Sequence, residues 1–306
     1  MMDFQKFTEA VLKGTREKAD GKFYVSVTTE LKNNGVKLTG ISGIAKGSNS
    51  GPCVFLDDYY KGYGNGYAKL QSIIDEVYQQ ITIHQDDLHN INAVNFLDWD
   101  AVRKHIYMKL VNAEKNQELL CMVPHRIFLD LAVVYYVAIS GIGEQGNDTG
   151  TIIVKDCHLP IWGQDEEGLY QSARENMCSD GKPVFDGLGN VLRCLMPEAV
   201  DLCGEKEITS GAGMYILTNN CKCYGASEIL DKNTLKEISD KISGDFVILP
   251  SSVHEVIVLP LNYGMDYREL ADMVKEINGT VVSPDEYLSD NVYVYVRSEG
   301  TLKLAA

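Results

Sequence analysis

Apolar side chains recur every three to four positions in several stretches of the chain, which is the spacing of one face of a helix. This spacing predicts helices over residues 3–18, 67–81, 98–118, 165–177, 226–242 and 267–277. In the third of these helices we expect Val102, Ile106, Leu110 and Val111 to face the core. The prediction is supported by Asp98 and Asp100, since either side chain can cap the helix N-terminus.

Other stretches alternate between apolar and polar positions, or are continuously apolar and β-branched, as strands are. Strands are predicted within KFYVSV, VKLTGISGI, GPCVFL, a long segment from Ile127, TIIVKD, MYILTN, DFVILP, VHEVIVLP and NVYVYV. The pair Asn34-Gly35 predicts a hairpin turn, because such a turn requires positive φ at both central positions. Several strand connections are too short for a parallel crossover. We therefore predict an α+β fold with mostly antiparallel sheets and packed helices.

Composition divides the chain into segments. We predict an N-terminal helix, hairpin and helix region over 1–95, a central α+β lobe over 96–178, and a C-terminal α+β lobe over 213–306. Residues 179–212 carry glycines, prolines and acids with little periodicity, which indicates a linker. VPHRIFLDLAVVYYV and LPSSVHEVIVLPL both place a proline ahead of a histidine and an apolar strand. This echo reflects either two pseudo-related halves or a coincidence between two core strands.

The formal net charge of −15 over 306 residues limits the kinds of partner that the protein can bind. Such a surface repels phosphate backbones and anionic membranes, so we expect neither nucleic-acid nor membrane binding. The N-terminal stretch is charged and lacks an apolar signal core, which predicts a soluble cytoplasmic protein with its eight cysteines reduced. An acidic surface commonly serves solubility. The alternative is an acidic face that docks on a basic partner or mimics nucleic acid.

Five stretches together resemble a known family: LKNNGVKLTGI, EKNQELLCMVPHRIFLDLAVVYYV, MYILTN with YGASEIL, LPSSVHEVI, and SPDEYLSDNVYVY. The family is an uncharacterised bacterial one, catalogued as domain of unknown function 5688, and the resemblance covers roughly Phe4 to Leu302. GPCVFLDDYYKGYGNGYAKL departs from it by being richer in glycine. More distantly, the Pro-His element and residues 226–230 are similar to the uncharacterised YtpQ-like proteins. The resemblance implies a single α+β unit and no catalytic residues.

Two cofactor patterns are incomplete. GYGNGY precedes a predicted helix, but it is not G-x-G-x-x-G and no Walker lysine-serine pair accompanies it, so a flexible turn is favoured over a phosphate cradle. Cys221 and Cys223 form a C-x-C pair with Cys194 and Cys203 upstream. Their irregular spacing disfavours the paired knuckles of a structural zinc site. We therefore expect no cofactor and no metal.

His254 and Glu255 interrupt the apolar strand ILPSSVHEVIVLP. Neighbouring residues of a strand point to opposite faces, so these two side chains cannot form a mutual acid–base pair. His254 would share a face with Val256 and Val258 and be partly buried. A buried histidine needs a hydrogen-bond partner for its ring, which the preceding turn at residues 250–252 can supply. This interpretation makes His254 a structural residue.

A functional interpretation joins His254 to His125. If the two halves are related, both histidines enter corresponding strands and line one cleft. Arg126 would then bind an anionic group, and His254 would act as a general base near neutral pH. Asp130 and Glu255 would orient or pair with these groups. Alternatively, two histidines and a carboxylate would hold a metal ion.

The leading hypothesis is a non-enzymatic binding or interaction protein, whose partner is another protein or a second copy of the chain. It rests on well-specified strands and helices beside incomplete catalytic patterns. The YVYV strand would lie at a sheet edge and pair with another chain. One alternative is an uncharacterised hydrolase or metal-dependent enzyme using His125, Arg126 and His254. A second alternative is an acidic mobile-element or defence-related protein.

Overall fold

The structure is a computed structural model that describes residues 2–46, 51–91, 95–142, 148–189, 213–261 and 266–305. Its α-helices are α1 (Phe4–Ala19), α2 (Asp57–Gly64), α3 (Leu70–Ile91), α4 (Trp99–Val102), α5 (Gln117–Leu120), α6 (Leu159–Trp162), α7 (Glu166–Ser179), α8 (Lys232–Ile242) and α9 (Tyr267–Thr280). Short 3-10 helices span Asn33–Gly35, Arg103–His105, Asp156–His158 and Gly225–Leu230.

The strands form three mostly antiparallel sheets, which confirms the predicted α+β class. They are β1 (Phe23–Leu31), β2 (Lys37–Ala45), β3 (Cys53–Phe55), β4 (Ile106–Asn112), β5 (His125–Phe128), β6 (Leu131–Ile142), β7 (Asp148–Ile153), β8 (Val184–Gly187), β9 (Tyr215–Thr218), β10 (Phe246–Leu249), β11 (Val256–Pro260), β12 (Tyr293–Val296) and β13 (Thr301–Leu304). The chain divides into two compact units, Met1–His105 with Val137–Ile152 and Ile106–Tyr136 with Ile153–Ala306. The predicted domain boundaries and the pseudo-related halves stay predictions.

The first unit contains a sheet of order β1-β2-β3. The predicted first helix is confirmed as α1, where the Asp3 carboxylate caps the N-terminus by accepting from the Lys6 amide at 2.8 Å. The predicted turn also forms, with positive φ at Asn34 (59°) and Gly35 (72°). Apolar residues of α1, α3 and the sheet form one core cluster, including Phe7, Val11, Val25, Ile41, Ile73, Val77 and Ile81.

The helix predicted over residues 98–118 is wrong. The short α4 and a 3-10 turn form at its start, β4 follows, and the short α5 begins only at Gln117. The expected core residues Val102, Ile106, Leu110 and Val111 are nevertheless buried. A spacing of four positions satisfies both periods, since it is close to one helical turn and equals two strand repeats. Met108, which is also buried, completes the alternation of a strand.

The long strand predicted from Ile127 is in fact two strands, β5 and β6, joined at Leu129 and Asp130. Leu129 adopts φ of 56°, which is costly for a side chain other than glycine. The sheet order is β4-β6-β5, and β7 also pairs with β6. Val111, Val123, Ala132 and Val134 form a buried cluster of this region.

The remaining sheet has the order β13-β12-β10-β11-β9-β8. The YVYV strand, β12, pairs with β10 on one side and β13 on the other, so its predicted position at a sheet edge is wrong. The helix predicted from residue 226 begins as a 3-10 turn, and α8 starts only at Lys232 after the Asp231 cap. In the described ranges, no helix is long and apolar enough to cross a membrane.

Candidate functional site

Arg126 lies on β5 and is held by two glutamates of α7. Its Nε and terminal nitrogen each lie 2.7 Å from a Glu166 carboxylate oxygen, and the same terminal nitrogen lies 2.8 Å from Glu167. The guanidinium also stacks on the Tyr170 ring at 3.6 Å. These hydrogen bonds raise the pKa of Arg126 above its ordinary value. The guanidinium therefore joins β5 to α7. Anion binding by Arg126 stays a prediction.

Tyr135 on β6 completes this contact by donating its hydroxyl to the Glu166 carboxylate. Burial, together with the hydrogen bond to Glu166, raises the pKa of Tyr135. Glu166 thus accepts hydrogen bonds from two different strands. The arrangement is that of a structural ion-pair network, which perturbs pKa values without requiring catalysis.

His125, next to Arg126 on β5, is half-buried, and its Nδ1 lies 2.9 Å from the Val123 carbonyl oxygen. Because a carbonyl only accepts, Nδ1 carries the proton and donates it. The ring is thereby anchored to the backbone two residues upstream.

His254 and Glu255 do not lie on a strand, because β11 begins only at Val256. The predicted position of His254 and Glu255 on a strand is therefore wrong. His254 is half-buried, with its side chain 28% exposed. Its Nδ1 accepts from the Tyr224 amide at 3.2 Å, and its ring stacks on the Tyr224 ring with centroids 5.4 Å apart. Glu255 is half-buried at the entrance to β11.

The other ring nitrogen, Nε2 of His254, faces Glu286 at 3.8 Å. The turn at residues 250–252 was expected to supply the ring partner. Instead, Ser252 Oγ accepts from the backbone amide of His254 at 3.0 Å. The histidine therefore holds the 3-10 turn that begins at Gly225 against the start of β11, which supports the structural interpretation.

Asp130 does not pair with the histidines. Its carboxylate accepts hydrogen bonds from Ser289 at 2.6 Å, Asn291 at 2.9 Å and Tyr293 at 2.6 Å. Burial and the nearby Asp130 charge raise the pKa of Tyr293. Asp130 thus ties the β5–β6 turn to the segment entering β12. The contacts of His125, Arg126, His254 and Asp130 involve separate sets of residues.

Around His254 the structure builds an aromatic cluster that the sequence analysis missed. Tyr136 contacts Tyr224 edge-on at 5.2 Å and stacks on Tyr107 at 5.9 Å, while Lys109 Nζ lies 4.3 Å from the Tyr224 ring centre. Burial raises the pKa of both Tyr107 and Tyr136. The available signal was the alternation of Tyr107 and Lys109 along the apolar segment now seen as β4.

The loop that carries Tyr224 has an unusual backbone. Lys222 and Tyr224 have φ of 54° and 56°, values that side chains other than glycine rarely adopt. Gly225 packs so closely that an added methyl group would overlap Thr218 Oγ1 and lie 2.5 Å from the Asn219 nitrogen. Strained residues persist only where surrounding contacts hold them. Here the stacked His254 ring and the Tyr224 amide bond provide such contacts.

Cys221 and Cys223 in this loop are free thiols. Cys221 Sγ donates to Asn219 Oδ1 at 3.3 Å, and burial raises the pKa of Cys223, which opposes thiolate formation. Cys194 and Cys203 lie outside the described residues. Across the part of the chain that is described, no group of three or more histidine, cysteine or acidic side chains is arranged to hold a metal ion.

Glu228 is the buried carboxyl that the sequence analysis missed. It lies in the 3-10 helix Gly225–Leu230, and only 8% of it is exposed. Burial, and then the charges of Asp231 and Asp180, raise its pKa to about 7. It lines a cavity of about 60 Å³. The signal was a single acid within the otherwise uncharged segment GASEIL.

β1 is a terminal strand of its sheet and nine residues long. In the neighbouring strand β2, the backbone groups of Thr39 and Gly43 point towards β3. The Gly43 amide donates to the Pro52 carbonyl at 3.1 Å, and the Thr39 carbonyl accepts from the Leu56 amide at 2.8 Å. Backbone groups of an antiparallel pair alternate in direction. The register pairs Thr29 with Thr39, so Thr29 directs its amide and carbonyl to the open edge.

Val27 has the same orientation, two positions from Thr29, and 42% of it is exposed. At Val25 the outward carbonyl accepts from Arg16 Nε at 2.9 Å. The outward backbone groups of Val27 and Thr29 form no hydrogen bond with another described residue. Tyr24, on the opposite face of β1, is 69% exposed. We call the outward backbone groups of Val27 and Thr29 the β1 edge.

The fold defines an α+β protein in which the side chains of His125, Arg126 and His254 contact other groups of the same chain. The model of a family of unknown function, DUF5688, matches residues 4–297, and the chain belongs to this family. No curated protein and no solved structure matches the chain. The more distant similarity to YtpQ-like proteins stays a prediction.

Proposed function

We propose that this protein is a non-enzymatic interaction protein that binds an extended, basic segment of a partner protein along the β1 edge. The observation that carries the proposal is the pair of outward backbone groups at Val27 and Thr29 on a strand of nine residues. Exposed edges accept an additional strand through backbone hydrogen bonds. The position differs from the YVYV strand of the sequence prediction, while the mode of binding is the same.

Charge selects the kind of partner. With a formal net charge of −15, two copies of the chain repel each other, whereas a basic segment is attracted over a distance set by ionic strength. A heterologous basic partner is therefore favoured over self-association. The exposed Tyr24 ring adds apolar and cation–π contact area beside the edge.

The enzymatic alternative receives less support. A hydrolase using His125, Arg126 and His254 requires a free guanidinium and a histidine positioned as a base. Arg126 instead bonds Glu166 and Glu167, and the Nδ1 of His254 is occupied by the Tyr224 amide. The mobile-element or defence alternative rests on the net charge alone.

The test replaces Val27 by proline. Because the Val27 amide points away from β2, proline removes an edge donor without removing a bond inside the sheet. Val27→Ala keeps the amide and serves as the matched control. The probe is a labelled ten-residue peptide of alternating lysine and valine, measured by fluorescence anisotropy at 150 mM salt. We expect saturable binding to the wild type and to Val27→Ala, and at least tenfold weaker binding to Val27→Pro.

Equal binding by Val27→Pro would show that charge alone attracts the peptide and would refute strand addition at this edge. A matching glutamate–valine peptide controls for charge and should bind at least tenfold more weakly. Sedimentation of the wild type and Val27→Pro tests the other occupant. A wild-type dimer that Val27→Pro dissociates would assign the edge to a second copy and overturn the heterologous partner.

A further inference from the structure

The cavity beside Glu228 is formed by the 3-10 helix Gly225–Leu230, the end of α7 and neighbouring segments. Glu228 is 8% exposed, and no hydrogen bond to a described residue contributes to the shift of its pKa. Its carboxyl oxygens are not among the fully enclosed polar atoms that lack a partner, since the side chain borders the cavity. The adjacent Asp231 carboxylate is occupied by the Thr234 amide and hydroxyl, both at 2.8 Å. Burial without a partner of opposite charge disfavours the ionised carboxylate, so a cation in the cavity would stabilise it.

The charges near Glu228 favour a positively charged ligand. Asp231 and Asp180 are the charged groups that act on it, and both disfavour its ionisation. A positively charged ligand would relieve this repulsion and give the carboxyl an ion-pair partner. Arg174 and Cys178 also line the cavity, and both are exposed. Arg174 is not among the groups that shift the pKa of Glu228, so its guanidinium does not supply the opposite charge that the carboxylate lacks.

The walls distinguish an organic cation from a metal ion. Met108, Met177, Pro183 and Leu230 line the cavity and offer apolar surface rather than oxygen ligands. Calcium and magnesium require six or more oxygens, many of them from carboxylates or water. Among the described residues no set of three or more metal-ligating side chains converges. Carbon-bearing ligands match such walls better than hydrated ions.

The size of the cavity limits the ligand further. A cavity needs about 10–15 Å³ to hold one water molecule. The 60 Å³ of this cavity therefore accommodates on the order of four or five non-hydrogen atoms. A primary ammonium with a short unbranched chain has this size. A ligand with about four such atoms binds no tighter than about 40 μM.

We propose that the Glu228 cavity is a binding site for a small primary alkylammonium ion, with the Glu228 carboxylate receiving the ammonium group and the methionine, proline and leucine side chains contacting the alkyl chain. The proposed site shares no residue with the β1 edge, and the proposal does not rest on partner binding there. The proposed binding involves no covalent step.

The test measures binding of n-propylammonium chloride to the full chain at pH 8 by isothermal titration calorimetry. n-Propanol, which has the same chain without the charge, is the ligand control. Glu228→Gln keeps the size of the side chain and removes its charge, and Glu276→Gln alters an exposed carboxyl as the protein control. We expect saturable millimolar or tighter binding to the wild type and to Glu276→Gln. Binding to Glu228→Gln, and of n-propanol to the wild type, should be at least tenfold weaker.

A second measurement uses the wild type alone. Because an ammonium ion binds the ionised carboxyl and the pKa of Glu228 is about 7, binding should weaken about tenfold between pH 8 and pH 6. Saturable binding that is unchanged in Glu228→Gln, or an absence of heat up to 50 mM ligand, would overturn the proposal. Competition by calcium or magnesium at equimolar concentration would also overturn it in favour of a metal site.

Discussion

Replacing Glu228 by glutamine removes one ionisable group from a side chain that is 8% exposed, while nearly keeping its volume. Burial, followed by the charges of Asp231 and Asp180, raises the pKa of Glu228 from an ordinary 4.5 to about 7. Each unit of difference between folded and unfolded pKa corresponds to about 1.4 kcal/mol. The full difference therefore represents about 3 kcal/mol of unfolding free energy.

The sign follows from proton binding. The folded state binds the proton more tightly than the unfolded chain, so the contribution of Glu228 is fully present below about pH 4.5. It is lost as the pH rises through about 7, because the buried carboxyl then ionises. Glutamine does not titrate. The unfolding free energy of Glu228→Gln minus that of the wild type should rise by about 2–3 kcal/mol between pH 5 and pH 8.5.

The assay is urea unfolding followed by circular dichroism at pH 5, 6, 7 and 8.5, with both chains measured in the same buffers. Glu276→Gln is the control, because Glu276 lies exposed on α9. A difference between Glu228→Gln and the wild type that stays constant within about 1 kcal/mol over this range would refute the reasoning. It would show that the carboxyl is solvated or paired in the folded protein.

Two further substitutions test the loop before α8. Gly225→Ala should lower the unfolding free energy by about 1–3 kcal/mol, because its methyl group meets Thr218 Oγ1 and backbone atoms. Gly244→Ala has open space around the new methyl group and serves as the control in thermal unfolding, where an equal effect of both changes would contradict the close packing. His254→Ala should cost about 1–2 kcal/mol, because the Tyr224 amide loses its acceptor. An unchanged melting temperature for His254→Ala would show that the ring has no structural role.

The sequence indicates which residue types could bind a ligand or catalyse a reaction. It does not indicate which of their side chains lie close together in the fold. Arg126 was expected to meet an anion, and it does meet carboxylates, but they are Glu166 and Glu167 of the same chain. Glu166 lies 40 positions away, and helix α7 was predicted without any indication of which strand it packs against. Pairing across such a separation depends on tertiary packing.

Glu228 illustrates the opposite case. An acid in an uncharged segment is visible in the sequence, but most acids beside apolar residues reach solvent. Its burial follows from the 3-10 turn that precedes α8, in place of the continuous helix predicted from residue 226. The change of helix type alters which side chains face inward, and periodicity alone does not reveal it.

The sequence by itself determined the α+β class, the antiparallel pairing, the Asn34-Gly35 turn, and the helices capped by Asp3 and Asp165. These features depend on local sterics, on capping and on short connections, all of which act between neighbours along the chain. Only the tertiary structure decided that residues 106–112 form a strand, that β13 covers β12, and that Glu228 is enclosed. The physical reason is that strand pairing and side-chain burial depend on contacts between residues distant in sequence, and those contacts exist only once the chain has folded.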